Sequence, residues 1–373
     1  MSGVSTRHPI LDAERLVRPA ILGLPAYTRE APPTSNPARH VRLDWNESSH
    51  GPSPKARQAL REPLDIHRYP EFDARTLREA LAAYIGANPD HVLVGAGLDD
   101  VLQTLACTML NPGDHVVISE PTFGVYRPLF AAHGAEVVDA PLAPGFVLDP
   151  ERVLAAVTDR TKFIVVCNPN NPTGNLFPLE TVERIVVEAP CLVVVDEAYA
   201  EFAGVSHRPL MDRYPNVAVM RTMSKFAGLA GMRVGYGAIP ESLAPYVMRV
   251  MPAFCNVSVA ATAAALASLD DLPYLEGIVA RIVADREALA ARLREIPGVE
   301  PLPSATNFLL VRLPTEGAPV VRELGERGVH VRSFPNPRAG LTDCLRVSIG
   351  DAEENAIFAN ELEAVLDEAR TAR

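Results

Sequence analysis

From about residue 67 onward, short apolar runs rich in β-branched residues alternate with helical patterns, and this alternation is the strongest constraint on the fold. Strands that alternate with crossover helices build a parallel sheet. The candidate strands are residues 91–95, 115–119, 136–139, 163–167, 191–195, 217–221 and 233–238, enough for one seven-stranded sheet. Two of them, FIVVC and CLVVV, are continuous apolar runs without alternation, as expected for central strands covered on both faces. After about residue 262 the texture changes. A helical stretch over 275–295 precedes strand candidates at 307–311, 329–333 and 345–349, which predict a smaller α/β unit. Its last helix should begin at Asp351, where Asp-Ala-Glu-Glu forms a capping box and Ile357, Leu362 and Leu366 supply the buried stripe.

The remaining sequence bounds the function. A formal charge of −11 argues against a nucleic-acid groove or an anionic membrane as the main partner. No apolar run reaches the roughly 18 residues of a membrane span, and the first residues are too polar for a signal peptide, so a cytoplasmic location is expected. Cys107, Cys167, Cys191, Cys255 and Cys344 are scattered and odd in number, and read as reduced core residues. Neither a Cys-x-x-Cys pair nor a His-Glu-x-x-His helix occurs, so no metal site is expected. Proline, at 34 of 373 residues against a typical ~5%, concentrates in loops and in residues 1–40, an arm that lies against something else or reaches a partner subunit.

In open α/β sheets ligands bind beyond the carboxyl ends of strands. Asn168-Pro-Asn-Asn-Pro-Thr-Gly174 follows FIVVC, Asp196-Glu-Ala-Tyr199 follows CLVVV, and Thr222-Met-Ser-Lys225 follows VAVMR. An amide, a carboxylate and an amine would therefore meet at one sheet edge. Singly, each segment could be a turn or a helix cap. Together they are the set that pyridoxal phosphate needs: a lysine amine for the Schiff base, and a carboxylate that keeps the pyridine nitrogen protonated. Lys225 and Asp196 fit those roles. The stretch Val94-Gly-Ala-Gly-Leu-Asp-Asp100 lies between a strand and a helical pattern, where backbone N–H groups would bind an anion.

NPNNPTG, DEAY, SKFAGLAGMRVGY and LRVSIG, in this order and spacing, resemble the fold-type I aminotransferases of class I and II, nearest to the histidinol-phosphate aminotransferase branch. The resemblance covers roughly residues 41–370. It implies a large pyridoxal-phosphate domain over 67–262, a small C-terminal domain over 263–373, and an arm plus part of the small domain over 1–66. It makes Lys225 the Schiff-base lysine and proton shuttle, Asp196 the partner of the pyridinium nitrogen, and Asn171 and Tyr199 the hydrogen-bond partners of the ring's phenolate oxygen. Phe123 would stack on the ring. The amides of Leu98 and Asp99 would take the cofactor phosphate, together with Thr222, Ser224 and Arg233. Tyr69 matches a tyrosine delivered from the neighbouring subunit, which implies a homodimer with shared sites.

For the substrate, the resemblance implies Arg346 as an anion-binding arginine, Arg332 as a second, and Asn46 at the entrance. Alternation along VHVRS leaves open whether Arg332 faces the site, and Trp45 stays unassigned. The implied reaction is ping-pong transamination between an amino donor, best histidinol phosphate, and a 2-oxo acid such as 2-oxoglutarate. The same residues are compatible with an aminotransferase for aromatic or other amino acids, with a decarboxylase resembling the threonine-phosphate decarboxylases, or with a non-catalytic pyridoxal-phosphate-binding protein. The chain departs from the branch pattern at Ser48, Ser49 and His50, at Phe123 in place of tyrosine, and at the reversed pair Phe226-Ala227. Most of these departures touch the substrate entrance.

Overall fold

The computed structural model describes residues 14–24, 41–250, 256–335 and 340–371. Its strands are β1 (Val41–Arg42), β2 (Val92–Ala96), β3 (His115–Ile118), β4 (Glu136–Asp139), β5 (Thr161–Cys167), β6 (Leu192–Asp196), β7 (Val217–Thr222), β8 (Val234–Ala238), β9 (Glu300–Pro301), β10 (Phe308–Arg312), β11 (Val329–His330), β12 (Arg332–Ser333) and β13 (Cys344–Ser348). All seven expected large-sheet strands form one sheet in the order β2-β8-β7-β6-β5-β3-β4. It is mostly parallel, with β8 antiparallel to both of its neighbours.

FIVVC and CLVVV lie on adjacent inner strands, and both of their faces are covered. Phe163, Val165 and Cys167 of β5 and Val194 of β6 pack into one apolar layer with helix Leu98–Met109. Ile164, Val166, Val193 and Val195 face the opposite layer with helix Leu179–Glu188. Successive residues of a strand point to opposite faces, so a strand buried on both must be apolar throughout.

The smaller unit departs from expectation at residues 329–333. The run is not one strand: Val329–His330 pairs in parallel with Val41–Arg42, whereas Arg332–Ser333 pairs with β13. The chain changes sheets at Val331, and the pairing residues 41–42 are too few to show a period in the sequence. The long helix spans Leu272–Arg294, and the last spans Ala352–Thr371. The capping box is formed: Asp351 Oδ1 accepts the Glu354 N–H at 2.9 Å, and Glu354 Oε2 accepts the Asp351 N–H at 2.9 Å. Leu362 and Leu366 are buried and Ile357 is partly so.

Cys107 is exposed on its helix rather than in the core, Cys191 is half-buried, and Cys255 lies outside the described residues. Of the arm, residues 14–24 are described; they include a short helix, Pro19–Leu22, beside helix Tyr126–Ala132. Among the described residues, no helix is long and apolar enough to cross a membrane.

Candidate active site

The three polar segments meet beyond the carboxyl ends of β5, β6 and β7. The asparagines of the first loop divide its work. Asn168 closes the loop on itself through both backbone groups of Phe177, and Asn170 ties it to Pro121 and Thr122. Asn171 is thereby left to enter the site. Its Nδ2 lies 3.4 Å from the Tyr199 hydroxyl, and its Oδ1 accepts from Arg346 Nη1 at 2.7 Å. Asn46 Nδ2 also donates to the Tyr199 oxygen, at 2.9 Å. With both lone pairs of that oxygen occupied, the remaining hydrogen-bonding capacity of Tyr199 is its own O–H. Burial raises the Tyr199 pKa, so the phenol keeps that proton.

Asn46 holds its position with φ +53°, a left-handed conformation that Asn tolerates better than most residues. Its backbone N–H donates to Ser348 Oγ at 2.8 Å, and its carbonyl accepts from Asn307 Nδ2 at 3.0 Å.

Asp196 ends β6, buried. Its oxygens accept from the Tyr126 hydroxyl at 2.5 Å and from the Ala198 N–H at 3.0 Å, both neutral donors. Burial pushes this carboxyl up to about 6. Tyr126 was not foreseen as a site residue. It lies three residues after Phe123, at the start of helix Tyr126–Ala132, and their rings meet edge to face at 5.4 Å. Phe123 is half-buried, at the border of the site.

Lys225 Nζ donates to the Trp45 carbonyl at 3.0 Å. Burial, with the Arg346 charge second, pulls its amine down to about 8. The Trp45 side chain itself is 48% exposed, so what this residue contributes here is its backbone.

The anion cradle is built by close backbone approach. Helix Leu98–Met109 starts at Gly97, φ +96°, with no side chain capping its first N–H groups, which include those of Leu98 and Asp99. A Cβ on Gly97 would lie 2.3 Å from Arg233 Nη2, and one on Gly235 only 2.1 Å from the Leu98 nitrogen. Only glycine fits either place. Arg233 is not the first residue of the strand, as expected, but precedes it in a left-handed conformation, φ +53°. That turn carries its guanidinium back over Gly97 to Asp99, 3.3 Å away. Thr222 Oγ1 donates to Ser224 Oγ at 2.9 Å, placing two hydroxyls at the end of β7.

Arg332 and Arg346 are direct cross-strand partners of β12 and β13. Directly opposed residues project from the same face of a sheet, so Arg332 shares a face with Arg346. Arg346 also lies over the Phe308 ring, 5.4 Å from its centroid, and Nη2 donates to the Asp44 carbonyl at 2.6 Å. Tyr69 stands apart from all of these, 85% exposed.

A buried carboxyl with only neutral partners, an amine lowered toward neutral pH and an uncapped helix start beside an arginine fit the pyridine nitrogen, the aldehyde and the phosphate of pyridoxal 5'-phosphate. Residues 39–362 match the family described as aminotransferase class I and II. The chain belongs to this family of pyridoxal-phosphate-dependent transferases, and it is an aminotransferase of fold type I. It is 42% identical over 367 residues to a protein from Roseiflexus castenholzii named histidinol-phosphate aminotransferase, covering 94% of this chain and 98% of that one. It is 40% identical over 326 residues to histidinol-phosphate aminotransferase 1 of Archaeoglobus fulgidus, covering 87% and 99% of the two chains. The crystal structure of the Sinorhizobium meliloti histidinol-phosphate aminotransferase in complex with pyridoxal-5'-phosphate superposes with a TM-score of 0.86 at 30% identity, over 95% of this chain and 98% of that one.

Proposed function

We propose that the protein transfers the amino group of histidinol phosphate to a 2-oxo acid, with 2-oxoglutarate as the acceptor. The observation that carries the substrate is the opposed pair Arg332 and Arg346. Two guanidinium groups directly across a strand pair repel each other unless an anion lies between them. A phosphate monoester supplies the needed charge and matches the planar fork of arginine. The names of the relatives support the same donor. A 2-oxo acid offers its carboxylate to Arg346 in the second half-reaction.

Bound pyridoxal phosphate supplies an electron sink for the substrate α-carbon. The chain does the rest. Asp196 holds a positive charge at the pyridine nitrogen, and Tyr126 and the Ala198 N–H fix the carboxylate that does so. Tyr199 and Asn171 donate to the ring oxygen. Phe123 stacks on the ring, and Leu98, Asp99, Thr222, Ser224 and Arg233 anchor the phosphate. The Lys225 amine, with its pKa near 8, carries the proton between the substrate α-carbon and the cofactor. Asn46 closes the entrance through Tyr199. In this reading residues 67–262 form the cofactor domain, 263–373 the small domain, and 1–66 the arm with part of the small domain. Tyr69, too exposed to serve its own site, reaches the phosphate of a second copy in a cytoplasmic homodimer.

The test is a half-reaction. The protein is loaded with cofactor, and its visible absorption band is followed after adding histidinol phosphate, phenylalanine or glutamate in separate samples. Bleaching by histidinol phosphate at micromolar concentration, reversed by 2-oxoglutarate, is expected. Bleaching only by ordinary amino acids would overturn the donor, and release of carbon dioxide without need of an acceptor would overturn the transfer.

A further inference from the structure

Glu197 directly follows Asp196 but serves a different set of partners. It is fully buried. Its Oε1 accepts from His207 Nδ1 at 3.0 Å and from the His207 backbone N–H. Its Oε2 accepts from Ser206 Oγ at 3.0 Å and from Arg221 Nε and Nη2 at 3.0 and 2.8 Å. On the far side of the imidazole, His207 Nε2 lies 3.2 Å from Asn168 Nδ2.

The direction of that last bond is fixed by chemistry. Asn168 Oδ1 accepts the Phe177 N–H at 2.8 Å, and Nδ2 donates to the Phe177 carbonyl at 3.0 Å, so the amide cannot be turned round without losing both. Its NH₂ therefore faces the imidazole, and Nε2 must accept. A proton on Nε2 would set two donors against each other in a site where His207 is 1% exposed. The single ring proton belongs on Nδ1, donated to Glu197. Apart from Glu197, the polar groups bonded to the ring are neutral, and Arg221 lies on the other side of the carboxylate, where it already shares the Glu197 charge.

We propose that His207 is a positioning residue of the aminotransferase site: an imidazole held neutral as its Nδ1–H tautomer, which locks the loop carrying Asn171 to the turn carrying Asp196 and Tyr199. The proposal rests on the aminotransferase reading but not on the identity of the donor. His207 acts through Asn168, which opens the loop three residues before Asn171, and through Glu197, which lies between Asp196 and Tyr199. Glu197 in turn holds Arg221, the residue before Thr222. The buried ring, with the carboxylate it holds, thus ties together all three strand ends that meet the cofactor site.

The first test is ¹⁵N NMR of the holoenzyme labelled at histidine, with the His207 signals identified by their loss in His207→Phe or His207→Gln. Expected is a protonated Nδ1 and a bare Nε2, as the fixed Asn168 amide requires. An imidazolium, or the opposite tautomer, would overturn the proposal. The second test compares His207→Phe with His207→Gln, whose carbonyl can still accept from Asn168. In His207→Phe the pH midpoint of the bound cofactor's visible band should move by about one unit and kcat should fall about tenfold with KM within about twofold, and His207→Gln should recover most of both. A variant that is merely less stable, with midpoint and kcat unchanged, would reduce His207 to framework and overturn the role. Should His207→Phe not fold, His207→Gln and the tautomer measurement still decide. The tautomer and the band midpoint need no amino donor, so failure of histidinol phosphate leaves both of those readouts intact.

Discussion

Asp196 and Glu197 are adjacent carboxyls, both buried, and their chemistry is opposite. Burial pushes Asp196 up to about 6, and its bonds from the neutral donors Tyr126 and Ala198 offset only part of that rise. Burial acts on Glu197 as well, yet the His207 bonds and the Arg221 charge hold that carboxyl below the ordinary glutamate range. Desolvation is common to the pair, so it does not decide the outcome. The decisive difference is whether a cation is built into the protein. Glu197 has one in Arg221 and belongs to the framework, whereas Asp196 faces the place where the cofactor's pyridinium would supply one.

Substitutions should separate the two roles, and the largest effect is expected at the amine that Asp196 indirectly serves. Lys225→Ala should lower turnover by more than about 10⁴-fold while far-ultraviolet dichroism and melting stay near those of the parent. Turnover near the parent rate would remove Lys225 from the mechanism. Next comes Asp196→Asn, where a neutral amide cannot hold the pyridinium charge. A loss of about 10³-fold in kcat, close to 4 kcal/mol of barrier, is expected with little loss of stability. Glu197→Gln should shift the balance: it breaks a buried pair and should destabilise the fold by about 3 to 5 kcal/mol, read by urea denaturation, with a kcat loss of about tenfold, like that of His207→Phe, rather than about 10³-fold. If the two variants gave the same pattern, the contrast drawn between these neighbours would collapse.

Smaller effects belong to the arginine pair. Arg332→Gln should raise KM for histidinol phosphate about 10- to 100-fold and leave KM for 2-oxoglutarate within about threefold, since Arg346 can hold a carboxylate alone. Equal effects on both substrates would indicate that Arg332 is not the phosphate's own partner.

How far all this could be read from the chain follows from the kind of interaction involved. The inner strands FIVVC and CLVVV were legible because burial on both faces leaves an unbroken apolar run, and the polar segments that carry Asn171, Asp196 and Lys225 stood out because each begins where an inner strand ends. Tyr126 was missed because its role depends on a contact with Asp196, seventy residues later, that no local pattern encodes. The break at Val331 was missed for a similar reason, as it depends on Val41 and Arg42 arriving from far away in sequence. Arg233 was placed at the start of its strand but precedes it by one residue, in a left-handed conformation. The sequence carries no mark of a positive φ when the residue is not glycine. Network residues such as His207 and Arg221 give no signal at all, because a histidine in a loop and an arginine in a strand look the same whether they end in water or in Glu197.

The finest test of the comparison uses protein without cofactor, where Asp196 lacks its cation. An aspartate with an ordinary value of 3.8 when unfolded and about 6 when folded binds more protons in the folded state between those limits. Stability must therefore fall as pH rises from about 4 to about 6, then level off, with a total loss of about 3 kcal/mol at most. Lys225, at about 8 folded against 10.5, has the opposite sign in a separate window: the unfolded chain binds more protons between those values, so stability rises with pH there. Urea denaturation at intervals across both windows would separate them. Asp196→Asn should remove the Asp196 share of the acidic slope and make the cofactor-free protein more stable than the parent at neutral pH, and pyridoxal phosphate should remove the same share in the parent by giving the carboxylate its partner. A slope that survives in Asp196→Asn would mean that another buried acid titrates there. Glu201, which burial pushes up to about 7, would be the next to replace.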